Sequence, residues 1–185
     1  ADGDFVVVWE NYAPFGTDTS YGSIQGQRFA SDGSAQGVEF QVNSYTPNYQ
    51  VSPSVSTDAD GDFVVVWDSL GSPVTDTSSY SIQAQRYASD GSTRGAQFQV
   101  NDHTTSYQRA QAVAVDADGD FVVVWQSLGS PGEDTSSYSI WRQRYASDGS
   151  TRGAQFQVNT FTPSYQLDPS VAADTDGDFV VVWLS

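Results

Sequence analysis

Asp60-Gly61-Asp62-Phe63-Val64-Val65-Val66-Trp67 decides the fold. The same eight residues stand at Asp2–Trp9, Asp118–Trp125 and Asp176–Trp183, with a spacing of 58 residues each time. A fixed period of this size marks a repeat architecture. It divides one repeat region, 1–185, into repeats at 2–59, 60–117 and 118–175 and the start of a fourth at 176–185.

Within the motif, Phe63–Trp67 is a continuous apolar run, too short for a helix and bounded by turn residues. It reads as a strand buried on both faces. Downstream, Ser69–Ser79 is polar and carries Gly71-Ser72-Pro73, a loop. Tyr80–Tyr87 alternates, with Tyr80, Ile82, Ala84 and Arg86 on one face and Gln83, Gln85 and Tyr87 on the other. Ser89-Asp90-Gly91-Ser92 is a hairpin signal. Ala96–Asn101 alternates again, with Ala96, Phe98 and Val100 inward and Gln97, Gln99 and Asn101 outward, as on a solvated sheet rim. Upstream of each motif lies a strand of small residues: Pro53–Thr57, Gln111–Val115 and Pro169–Ala173. An acidic turn joins it to the Val-rich strand.

These four characters fit an all-β protein of the β-propeller type, with one four-stranded antiparallel blade per repeat. The small strand crowds the axis, the Val-rich strand comes second, and the Phe-Gln-Val strand lies outermost. A β-solenoid and a tandem β-sandwich are the alternatives, although a solenoid coil usually repeats every 20–30 residues or so.

Composition narrows the function classes. Val, Phe, Tyr and Trp dominate the apolar set, which suits pleated, half-buried surfaces. Twenty-three acidic residues face seven basic ones, all Arg, for a formal charge of −16. That surface repels phosphate backbones and anionic membranes, so nucleic-acid binding and membrane insertion are not expected. It suits cations. With no Cys there are no disulfides and no thiolate sites. No apolar run reaches the ~18 residues of a membrane helix, and no signal peptide is seen. The chain opens at Ala1 inside a repeat, as expected of part of something longer.

Gly-Asp-Phe-Val-Val-Val-Trp, then Ile24-Gln25-Gly26-Gln27-Arg28-Phe29, then Glu39-Phe40-Gln41-Val42-Asn43 resembles the tandem, propeller-like repeats of large secreted and surface adhesin-like proteins of bacteria. The likeness runs through the whole chain. It implies an extracellular, secreted or cell-surface location and a non-catalytic repeat region, and it supplies no ligand.

The sharpest chemical motif is the acidic turn. Asp58, Asp60 and Asp62 alternate, as do Asp116, Asp118, Asp120 and Asp174, Asp176, Asp178. Ca²⁺ takes six to eight oxygens, and such turns supply them. The spacing departs from an EF-hand loop, because Gly61 is at position 4 and Ser69 at position 12. Ala59-Asp60-Gly61-Asp62 also suits a plain two-residue type I′ hairpin, so both readings stay open. Arg28, Arg86 and Arg144 recur at one strand position. They are expected to pair with a loop carboxylate such as Asp18, Asp76 or Asp134, or to contact an anionic sugar. Trp141 replaces Gln25 and Gln83, and reads as a neutral substitution or as an exposed ring for a sugar or a subunit contact. His103 stands where Tyr45 and Phe161 stand, and is expected to fill space.

Without Cys, Lys or a second His, the usual nucleophile–base sets are missing. Paired carboxylates suffice for glycoside hydrolysis, but no pair stands out from the many, and identical repeats build one asymmetric site poorly. The expectation is therefore a structural or adhesive repeat protein with no enzymatic activity, binding Ca²⁺ at the acidic turns and self-associating with further copies or repeats, as an assembly or filament. A propeller lectin binding glycans at blade junctions is the alternative, followed by the accessory propeller of a secreted hydrolase.

Overall fold

A computed structural model describes residues 3–13, 22–71, 79–129 and 137–185. The described residues form four antiparallel sheets and no helix. The first sheet holds β1 (Phe5–Asn11), β2 (Ser23–Phe29) and β3 (Ala35–Gln41) in that order. The second runs β4 (Gln50–Thr57), β5 (Phe63–Leu70), β6 (Tyr80–Tyr87) and β7 (Phe98–Gln99). The third repeats it with β8 (Gln108–Val115), β9 (Phe121–Leu128), β10 (Tyr138–Tyr145) and β11 (Phe156–Gln157). The fourth holds β12 (Leu167–Ala173) and β13 (Phe179–Leu184).

Each sheet is one blade. The fold is a β-propeller. The small-residue strands β4, β8 and β12 pack against one another across consecutive blades. Close approach of three backbones favours the Ser, Ala, Pro and Val that predominate there. Every residue of β5 from Phe63 to Ser69 is buried, as a strand stacked on both sides requires.

The blades stack by alternation. Phe63, Val65 and Trp67 point back onto Val6 and Val8 of the preceding blade. Val64 and Val66 point forward onto Phe121, Val123 and Trp125 of the next. Val122 and Val124 point forward onto Phe179 and Val181. The ring of the third strand stacks on the Phe of the second: Phe63 on Tyr87 and Phe121 on Tyr145, each at 4.7 Å. Burial raises both Tyr hydroxyls above their ordinary pKa.

Three local expectations are corrected. The acidic turn is a three-residue loop in place of a type I′ turn. Asp58 N donates to Asp62 O, Gly61 N donates to Asp58 O, and Gly61 alone takes positive φ, +84°. A type I turn closed by a left-handed Gly matches the strand twist with one such residue where type I′ needs two. The outer strands are short, two paired residues each in β7 and β11. Asn101, expected at the solvated rim, is buried: its Oδ1 accepts Ile82 N at 2.8 Å, and Asn43 and Asn159 do the same for Ile24 and Ile140. A side-chain amide here takes over where a longer strand would have continued the ladder. Trp141 is buried too, so its reading as an exposed ring falls. Its indole N–H donates to Ser139 Oγ at 2.9 Å, in the place where the amides of Gln25 and Gln83 donate to Ser23 and Ser81.

Candidate functional site

The two ends of the blades differ. At one end lie the acidic turns. Asp58 Oδ1 accepts the N–H groups of Asp60 and Asp62, both at 2.9 Å, and Asp116 and Asp174 repeat this at 118, 120 and 176, 178. Asp62 accepts Ser89 N and pairs with Arg94 at 2.5 Å; Asp120 accepts Ser147 N and pairs with Arg152 at 2.7 Å. The first carboxylate of each turn, and the third in the first two, thus serve the hairpins, leaving Asp60, Asp118 and Asp176 at the tips. Among the described residues, no three acidic or His side chains meet in an arrangement that would hold a metal. Burial pushes Asp58 above the ordinary carboxylate pKa. Asp90 and Asp148 are held below it by the Ser two residues on, Ser92 and Ser150.

The repeated arginines belong to this end. Arg28 Nη1 donates to Ser89 O at 2.5 Å and Arg86 Nη1 to Ser147 O at 2.6 Å. Each reaches the hairpin of the next blade. Asp18, Asp76 and Asp134, the carboxylates expected to pair with them, lie outside the described residues; the arginines grip a neighbouring carbonyl. His103 Nε2 lies 2.9 Å from Thr105 Oγ1 in its own loop.

At the opposite end, where the chain leaves β1, β5 and β9 for the second-to-third-strand connections, the repeat breaks down. The residue after each motif Trp is Glu10, Asp68, Gln126 and Leu184. Each of the first three reaches the inner strand of the following blade. Glu10 Oε1 accepts Ser52 N at 2.6 Å, and Gln126 Oε1 accepts Asp168 N at 3.0 Å. Ser52 and Asp168 sit at bulges with φ of +55° and +48°, which turns their N–H groups out of the ladder. Asp68, 1% exposed, pairs with Arg109 Nε at 3.5 Å. Arg109 stands where the other repeats have Val51 and Leu167.

Tyrosines surround this group. The Arg109 guanidinium lies 4.5 Å from the Tyr80 ring centre, and Tyr107 stacks on Tyr80 at 6.4 Å. Tyr12 donates a very short hydrogen bond to Glu10 Oε2, and that acceptor holds the Tyr12 pKa above its ordinary value. Asp68 faces Val51 across the sheet while Glu10 binds the amide of Ser52. The Glu10 carboxylate thus reaches β4, and the Asp68 carboxylate reaches forward to β8. None of this set was singled out from sequence. The signal was present as two departures from the repeat, Glu/Asp/Gln/Leu after the Trp and Arg at a Val/Leu position.

No protein-family model matches the chain, and no curated protein matches it. Solved structures do. An endo-arabinase from Bacteroides thetaiotaomicron superposes with a TM-score of 0.56 at 15% identity, over 100% of this chain and 67% of that one. An alpha-L-arabinofuranosidase from Lactobacillus brevis gives 0.53 at 14% identity, over 99% of this chain and 62% of that one. This chain thus spans about two thirds of the length of those proteins. At such identities the likeness is one of fold.

It corrects the functional expectation. The adhesin-like, structural reading and the exclusion of enzymatic activity do not stand, because the structures that share these blades are carbohydrate-cleaving enzymes by name. The argument from identical repeats fails for a physical reason as well. The blades are alike in their cores, but the end bearing Glu10, Asp68 and Arg109 is asymmetric.

Proposed function

We propose that this chain is the propeller of a carbohydrate-active enzyme that cleaves glycosidic bonds in arabinofuranosyl-containing glycans. The observation that carries the reading is the non-repeating set Glu10, Tyr12, Asp68 and Arg109, beside the repeated ring pair Tyr80 and Tyr107, at one end of an otherwise repeating body. The names of the fold neighbours supply the substrate class.

The chemistry fits the residue types. Glycoside hydrolysis uses two carboxyl groups, and this set offers Glu10 for one of those roles. Glu10 is half-buried, and its carboxylate accepts hydrogen bonds from Tyr12 Oη and Ser52 N, which fix its position. Asp68 is sealed from water and pairs with Arg109, which makes it a positioning residue for that cation. Tyr80 and Tyr107 offer ring faces of the kind on which sugars stack. The proposed location is outside the cell, which suits a polymeric substrate.

The test is release of reducing sugar from arabinan by the purified chain. Glu10→Gln is expected to lower kcat by about 10²–10⁴-fold with KM little changed. Asp68→Asn is expected to raise KM, by loosening Arg109. Absence of hydrolysis by the folded wild-type chain on arabinan and on arabinofuranosyl-decorated xylan overturns the proposal.

A further inference from the structure

Arg109 is the only arginine at the end of the blades that bears Glu10. Of the seven arginines, Arg28, Arg86, Arg94, Arg144 and Arg152 lie at the acidic-turn end, and Arg142 lies 3.8 Å from the Phe156 ring centre. The Arg109 guanidinium is fixed on two sides and open on a third. Its Nε faces Asp68 at 3.5 Å, and the Tyr80 ring covers one of its faces at 4.5 Å. Among the described residues its two terminal nitrogens meet no carboxylate or carbonyl, and the side chain is 42% exposed. Tyr107, two residues earlier, stacks on the same Tyr80 and is 43% exposed. A free ring face and a pair of parallel N–H donors are thus both built on Tyr80.

This arrangement is particular to one repeat. Val51 and Leu167 hold the position of Arg109, and Gln111 stands where Pro53 and Pro169 stand. The Gln111 amide donates a very short hydrogen bond to Ser52 O, while Ser52 N donates to Glu10. Glu10 and Gln111 therefore grip the same residue, and Arg109 is two positions along β8 from that grip. The complement of an open guanidinium edge beside an exposed ring is a sugar that carries a carboxylate. The planar fork takes both carboxylate oxygens in parallel, while the apolar face of the sugar lies on Tyr107. We propose, on the footing of the glycan-cleaving role above, that Arg109 and Tyr107 form a subsite for a uronic acid residue of the glycan. The formal charge of −16 repels such a chain at long range, so selection depends on contact with Arg109.

Isothermal titration of the 185-residue chain with trigalacturonate and with its methyl ester tests this, at physiological ionic strength where the long-range repulsion is screened. The two ligands differ at the carboxyl groups alone. The acid is expected to bind at least about tenfold more tightly than the ester. Arg109→Gln is expected to bring the two affinities together, and Arg109→Lys to keep only part of the difference, since a point charge lacks the fork. Equal binding of acid and ester by the wild type, binding of neither, or a preference that survives in Arg109→Gln overturns the subsite. So does a loss of both affinities in proportion, the sign of a merely structural role. If Arg109→Gln, which takes the cation from Asp68, loses its native circular dichroism, Asp68→Asn combined with Arg109→Gln carries the same test. Release of reducing sugar from arabinan, followed on the same samples, reports on cleavage separately. Release without a preference for the acid overturns the subsite alone, and a preference without release overturns cleavage alone.

Discussion

Gly149 shows what a single residue does in this chain. Its φ is +88°, and a Cβ there would lie 2.7 Å from Nε of Arg86, which arrives from the preceding blade to hold Ser147 O. Gly33 has nearly the same backbone, φ +84°, with nothing within 4 Å. Gly33→Ala therefore costs only the left-handed strain, about 1–2 kcal/mol. Gly149→Ala costs that and also displaces Arg86, for roughly a further 1 kcal/mol. Urea melts of both variants measure the difference. Equal destabilisation would mean that Arg86 contributes nothing to the junction. From sequence the recurrence of this Arg was plain, but its partner was not. A carbonyl 61 positions away leaves no trace in residue type, so a carboxylate was the natural expectation.

Among the elements, position within the stack outranks sequence. Val122 and Val180 occupy the same place in identical motifs, yet one is 3% and the other 60% exposed. Val122→Asp is expected to cost more than about 3 kcal/mol, because a charge would be sealed between blades without a partner. Val180→Asp is expected to stay within about 0.5 kcal/mol in dilute solution. Chemical denaturation of the two checks this, and comparable losses would contradict the stacking order. The strands were legible because their burial has distinct periods. Pro53–Thr57 reads as crowded, Phe63–Trp67 as doubly buried and Tyr80–Tyr87 as alternating, and the sheet runs in that order. The outer strand was overestimated, because Ala96–Asn101 alternates along its whole length while only Phe98 and Gln99 pair. Alternation reports which way side chains point and says nothing about an Asn that ends the ladder early. The polar group around Glu10 and Asp68 escaped notice for the opposite reason. Attention to what repeats passes over the few positions that do not.

For the molecule as a whole, electrostatics and apolar burial pull in opposite directions. Each chain carries a formal −16, and this self-repulsion opposes the apolar burial that stacks the blades. Salt screens the repulsion over about 8–10 Å at physiological ionic strength and below, while the buried Phe63, Val65, Val122 and Val124 are indifferent to it. The urea midpoint is accordingly expected to rise as NaCl goes from low to moderate concentration. Urea melts at varied salt read this directly. A midpoint that falls with salt would mean that ion pairs such as Arg94–Asp62 and Arg152–Asp120 outweigh the net charge.

Apart from side-chain pairs such as Asp68 with Arg109, the polar ties described between blades run from a side chain to a backbone. Arg28 and Arg86 seek the carbonyls of Ser89 and Ser147, Glu10 and Gln126 seek the amides of Ser52 and Asp168, and Asp58 and Asp116 rest on Gly119 and Gly177. What a blade offers its predecessor is therefore main chain in a set conformation, common to every unit whatever its other residues become. A gene segment of one repeat length, duplicated in frame, would encode a blade already fitted to both of its new neighbours. The copies would then be free to drift where nothing is gripped. Growth by duplication and divergence at one rim follow from the same economy of contact.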